Sequence, residues 1–246
     1  MATQVHSLTR TSRFSVAMTL AAIVTVLWGF APTYYMRPVL HITRYPTGKP
    51  VSPYLPALVH VHAIVFSAWL VLLLVQTTLI ASGRIRMHRR LGYAGVVLAV
   101  AVVVLGIATA IRGGRDGWAP GGPYPDALGF MIVGLGDIAV FTTFIALGLV
   151  YRSRPALHKR FMILGTVGGL MWPAITRMPG VAGRPALMFA LLLALVFAWA
   201  VRDLMVDRRQ LPLSLGCGLA ILATFPLRVA IGQTAAWHRL AEWLIR

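Results

Sequence analysis

Residues 58–78 read LVHVHAIVFSAWLVLLLVQTT, with no Asp, Glu, Lys or Arg among them. A bilayer core of about 30 Å asks for roughly 20 apolar residues in helical form, and this stretch supplies them. Outward from it, apolar segments of similar length recur near 14–36, 55–81, 91–111, 127–151, 161–177, 185–205 and 212–232. The pattern predicts an all-α, polytopic transmembrane helical bundle of about seven helices. Hydrophobic residues make up 58% of the chain and charged residues 12%, and mean hydropathy is +0.77, far from soluble composition. Pro173 interrupts the fifth segment, and Pro226 and Arg228 fall in the seventh, so the count is six or seven. Residues 1–246 read as one integral membrane domain. It has an N-terminal tail at 1–13, core hairpins at 55–111 and 127–177, and a C-terminal interfacial segment at 234–246 with Trp237, Leu240, Trp243 and Leu244 at helical spacing. A plain extension of the seventh helix explains that last segment equally well.

The net charge of +17 does not point to nucleic acid, because the cations sit mainly in short loops between apolar spans. They read as topology signals and as contacts to anionic lipid. Of the 23 Lys and Arg residues, 13 fall on the face that carries the N-terminus, which predicts a cytoplasmic N-terminus. The Arg-rich, Ala-, Val- and Leu-rich composition fits a bacterial inner membrane protein. A retained first helix suits residues 14–36 better than a cleaved signal, since no A-x-A-like site follows. The one cysteine, Cys217, excludes an intrachain disulfide and reads as a small buried residue. The 6 acidic residues leave a carboxylate-bridged metal centre improbable, and no G-x-x-x-x-G-K-[ST], H-E-x-x-H or G-x-S-x-G motif is present.

One short pattern is written twice: MHRRLGYAG at 87–95 and LHKRFMILG at 157–165. Both copies open a helix at the cytoplasmic side. At 100° per residue, His88, Gly92, Gly95 and Ala99 share one face, as do His158, Met162, Gly165 and Gly169. Each histidine crowns a face of mostly small residues, which a helix or a flat ligand can approach closely. The repeat suggests two related hairpins. Two neutral imidazoles on neighbouring helices at one depth are what a bis-histidine haem b requires, with Arg89, Arg90, Lys159 and Arg160 available to its propionates. Positive-inside anchoring to lipid phosphate explains the same residues without a cofactor.

A second constellation lies in the outer half. His62, Trp69 and Gln76 follow one another at heptad spacing and should face the bundle, since polar groups in lipid need partners. His60 lies about 200° from His62 on a regular helix, so H-x-H is a weak metal signal. Asp137 sits near the middle of the fourth helix, where a carboxylate is expensive. By depth its partner is His62, His60, Arg177 or Arg228. Such a pair makes Asp137 and His62 candidates for a proton or quinone site, or makes Asp137 part of a polar clasp between helices. Arg177 and Arg228 have a second explanation in snorkelling to the outer interface. Trp172 and Pro173 shape either a cavity or a packed kink.

Taken in order, HVH with Trp69 and QT, then HRRLG, then HKRFM resembles a family of bacterial multi-pass membrane proteins of unknown function, over roughly residues 55–177. That resemblance implies the membrane fold and histidines that matter together, and brings no activity with it. More loosely, paired histidine-bearing helices resemble the b561-type membrane cytochromes, which implies haem and electron transfer. Here His60 and His62 share one helix without a partner histidine on another, which speaks against a two-haem wire. Three functions stay open at this point: a haem-associated or quinone-linked redox protein with a quinone or membrane redox partner, a small-molecule, proton-coupled or lipid transporter using Asp137 and the outer cations, and a non-catalytic assembly partner.

Overall fold

A computed structural model describes residues 2–40, 54–118, 123–124 and 126–246, with side chains from residue 12 onward. The predicted loop at 37–54 and the Gly- and Pro-rich stretch at 113–126 therefore lie partly outside the described residues. The chain is all-α. Helix α1 (Ala2–Phe30) runs on through a π-helical turn, Ala31–Tyr35, into the short α2 (Arg37–Leu40). There follow α3 (Ala57–Ala81), α4 (Ile85–Arg115), α5 (Ala127–Val150), α6 (Pro155–Leu170), α7 (Trp172–Ile175), α8 (Pro185–Val206), α9 (Leu211–Gly232) and α10 (Ala235–Ile245).

Six helical segments are long and apolar enough to cross a membrane: Ser12–Tyr35, Ala57–Ala81, Ile85–Arg115, Ala127–Val150, Pro185–Val206 and Arg208–Gly232. The fifth span expected from sequence is divided at Met171 into α6 and the single turn α7. Pro173 is the cause, because its missing N–H breaks the helical ladder. The divided segment still runs from one end of the bundle to the other. At its start Arg160 bonds Asp203 and Ser214, and beyond its end Arg177 lies over the rings of Phe30 and Trp118.

Local chemistry sets the boundaries. Asp126 caps α5 by accepting from the Gly129 N–H at 2.6 Å, and Pro155 and Pro185 open α6 and α8, where a lost N–H costs nothing. Gly83 at φ +74° makes the tight turn from α3 to α4. Thr234 accepts from the Trp237 N–H at 3.1 Å and starts α10 afresh after Gln233, so the last segment is a separate helix and no extension of α9.

Packing places α6 at the centre. Every residue from Arg160 to Met171 is buried except Met162. Glycines make this possible: a Cβ at Gly169 would meet Phe141 N at 2.7 Å and the Asp137 carbonyl oxygen at 2.8 Å, and one at Gly165 would meet Phe144 Cβ at 2.7 Å. The α5 and α6 backbones therefore touch through small residues, as membrane helices do. Trp69 of α3 donates its indole N–H to Thr166 of α6 at 3.1 Å and stands edge-on to Phe141. Outward-facing Ile64, Val71, Val97, Val104 and Leu219 are exposed along the spans, a surface that lipid covers and water does not. The chain is a multi-pass membrane protein.

Candidate functional site

The two histidines of the repeated motif meet. Each is the fourth residue of its helix, His88 in α4 and His158 in α6, and their ring centroids lie 6.1 Å apart with planes at 82°. His158 Nδ1 is 2.7 Å from the Gly148 carbonyl oxygen of α5, so this nitrogen carries the proton and donates, and Nε2 is left as an acceptor. The His88 ring lies beside the Gln76 main chain of α3, and its Nδ1 is buried with no partner. Gln76 Oε1 is buried and unpartnered as well. Two orphaned polar atoms on facing helices are unusual, since nearly all buried polar atoms find a partner.

The small faces below the two histidines have different fates. Under His158, Gly165 and Gly169 are closed by Phe144 and Phe141. Under His88, a Cβ at Gly92 would meet no heavy atom within 4 Å, and one at Gly95 only Leu72 at 3.6 Å. The open room lies on the α4 side.

The motif cations also divide. Arg89 and Arg90 are exposed next to His88. Arg160, the counterpart of Arg90, is 1% exposed and fully engaged: Nε donates to Asp203 Oδ2 at 3.0 Å, Nη2 to Asp203 Oδ1 at 2.7 Å, and Nη1 to the Ala156 carbonyl at 2.7 Å. Its guanidinium has no donor left for a propionate. Ser214 Oγ donates to Asp203 Oδ2 at 2.5 Å, Arg202 adds a bond to Oδ1 at 2.9 Å, and Arg160 lies 4.9 Å over the Trp199 ring. Asp203 was not singled out in the sequence. Its signal was there, as a lone acid in the last turn of an apolar helix among Arg160, Arg202, Arg208 and Arg209. Lys159 Nζ lies 5.8 Å from the Trp199 ring centre.

Of the four partners considered for Asp137, the structure selects Arg228, whose Nη1 lies 2.5 Å from Oδ1. Arg228 is 4% exposed and does not snorkel. His62 is held elsewhere, with Nδ1 3.2 Å from Thr109 Oγ1 and its ring stacked on Phe66 at 3.9 Å. His60 is exposed and meets Tyr34, whose hydroxyl is 3.2 Å from Nδ1. Arg177 bonds the Pro173 carbonyl at 2.7 Å. Trp172 packs on Phe189 and Phe225, each at 5.1 Å, so the Trp-Pro pair is a packed kink. Among the described residues no group of three or more His, Cys, Asp or Glu is arranged to hold a metal ion.

At the far end a clasp appears that the sequence did not suggest. His238 Nε2 lies 3.1 Å from Asp126 Oδ2 and ties α10 to the start of α5, while Trp237 donates to the Leu128 carbonyl at 2.8 Å. The Gly129 N–H holds the Asp126 carboxyl below the usual range, with His238 adding to the effect. The Thr234 carbonyl and then Asp126 push His238 up. No family model matches this chain, and no curated protein or solved structure does.

Proposed function

We propose that the protein is a membrane redox component, haem-associated or quinone-linked, whose electron carrier is held by His88 and His158. The observation that carries this reading is the His88–His158 pair itself: rings 6.1 Å apart, one oriented by a carbonyl, the other with an unpartnered buried nitrogen. Two imidazoles bound to one metal at about 2 Å each have ring centres separated by a distance of this order. Haem b is the group whose iron takes two such ligands and supplies one-electron chemistry. His88 and His158 would hold it, the room beside Gly92 and Gly95 would receive it, and Arg89 and Arg90 would face its propionates, with Arg160 committed to Asp203. The setting is a bacterial inner membrane with the N-terminus cytoplasmic, so that the Arg-rich ends of α4 and α6 meet anionic headgroups.

An absorption spectrum of the purified protein, oxidised and then dithionite-reduced, tests the proposal. A Soret band that disappears in His158→Ala, with the protein still in the membrane, supports it. A protein purified from haem-supplied cells without a Soret band, and without co-purifying quinone, refutes it.

A further inference from the structure

Arg228 and Asp137 form a half-made ion pair deep in the bundle. Only Nη1 of the guanidinium is used, reaching Asp137 Oδ1 at 2.5 Å and, at 3.5 Å, the Val133 carbonyl. Arg228 Nε and Nη2 are buried without a partner, and so is Asp137 Oδ2. The two residues are 4% and 3% exposed. An unpaired donor on a buried charged group costs on the order of 1–3 kcal/mol or more, so two donors and an acceptor left open together need an occupant.

The same chain shows what fills such a fork. In Arg160 the Nε and Nη2 edge is closed by the carboxylate of Asp203. In Arg228 that edge is free. Its guanidinium rests on Gly136, where a Cβ would meet Cδ at 2.8 Å and Cζ at 3.0 Å, and over Phe225, whose ring centre is 5.0 Å from Cζ. A planar fork recognises a carboxylate through two parallel bonds. Asp137 Oδ2, on the partner of the same pair, accepts from a cationic or hydroxyl donor.

Charge decides between those donors. The Arg228–Asp137 pair is neutral as a unit, and an added simple carboxylate would leave a net buried negative charge, which low-dielectric surroundings penalise. A zwitterion adds none. We infer that the Arg228 fork and Asp137 Oδ2 form a binding site for a small α-amino acid, with its carboxylate on Nε and Nη2 and its ammonium on Oδ2. Entry requires α5 and α9 to part locally, and Pro226, two residues before Arg228, supplies a weak point by freeing the Leu222 carbonyl from the helical ladder.

The test is the thermal midpoint of the full-length protein in detergent at constant ionic strength, titrated with glycine, L-alanine and L-leucine, and with acetate and methylammonium as half-ligands. The inference expects a saturable rise with at least one amino acid, and a smaller rise with either half-ligand. Arg228→Lys keeps the charge and loses the fork, so its apparent affinity falls at least tenfold, and Asp137→Asn loses the preference for the amino acid over acetate. Should either single variant fail to fold, the double variant Asp137→Leu with Arg228→Met removes both charges and preserves volume; it should fold and show no response. No shift beyond that of equimolar sodium chloride overturns the site, as does an undiminished shift in Arg228→Lys or in the double variant. The readout does not depend on absorbance, so a colourless protein leaves this result interpretable.

Discussion

Replacing Asp203 with Asn should be the most damaging isosteric change in the chain. The carboxylate is fully buried and receives five hydrogen bonds from Arg160, Arg202 and Ser214. Asn keeps the volume, but its amide nitrogen would face guanidinium N–H groups or the Ser214 hydroxyl, and the charge of Arg160, 1% exposed, would stand uncompensated. Breaking one side of a buried pair costs about 3–5 kcal/mol. For a chain of this size that corresponds to a fall of roughly 6–20 °C in the unfolding midpoint. The assay is thermal unfolding in mild detergent, followed by near-ultraviolet circular dichroism, beside Arg152→Ala as an exposed control, where a change within about 0.5 kcal/mol is expected. The double variant Arg160→Met with Asp203→Leu should recover most of the loss, since an apolar replacement leaves no orphaned charge. An Asp203→Asn protein within about 1 kcal/mol of wild type would refute the reasoning, because the pair would then contribute no more than an exposed one.

Further expectations follow from the same packing. Gly169→Ala drives a Cβ into the Phe141 and Asp137 backbone and should destabilise by about 1–3 kcal/mol, whereas Gly92→Ala meets open space and should leave the melting midpoint unchanged or raised; equal effects at the two sites would contradict the packing assigned to α6. Trp69→Phe leaves Thr166 without its indole donor and should cost about 1 kcal/mol in chemical unfolding, and a neutral result would remove that bond from the account. The Asp126–His238 clasp is pH-dependent. His238 is raised in the folded protein, so its contribution is complete below about 6.5 and is lost as pH rises through the raised value. Asp126 is lowered, so its contribution is complete above about 4 and is lost as pH falls through the lowered value. Amide exchange in α10 should therefore be slowest between those limits, and a flat profile across them would disprove the clasp.

Apolar length alone predicts the spans, because it is a property of each segment by itself. The divided fifth helix was legible through Pro173. The partnership of His88 and His158 was legible as a repeated motif, since equal depth on adjacent helices follows from position. Side-chain partners were less so. Arg90 and Arg160 occupy the same place in the two motifs, yet one is exposed and the other holds Asp203, a difference set by α8 and α9, which only α6 meets. Depth narrowed the partner of Asp137 to four residues, and helix rotation chose Arg228. The open room at Gly92 against the filled space at Gly165 depends on how far α5 leans, which no local pattern encodes.

The central claim is that His88 and His158 jointly hold an electron carrier, and reduced-minus-oxidised absorption of wild type, His88→Ala and His158→Ala tests it most directly. The account predicts a haem signal in wild type that both substitutions abolish while the unfolding midpoint stays near that of the apo wild-type protein. A signal that survives both substitutions, or a wild-type protein that takes up neither haem nor quinone, would contradict it.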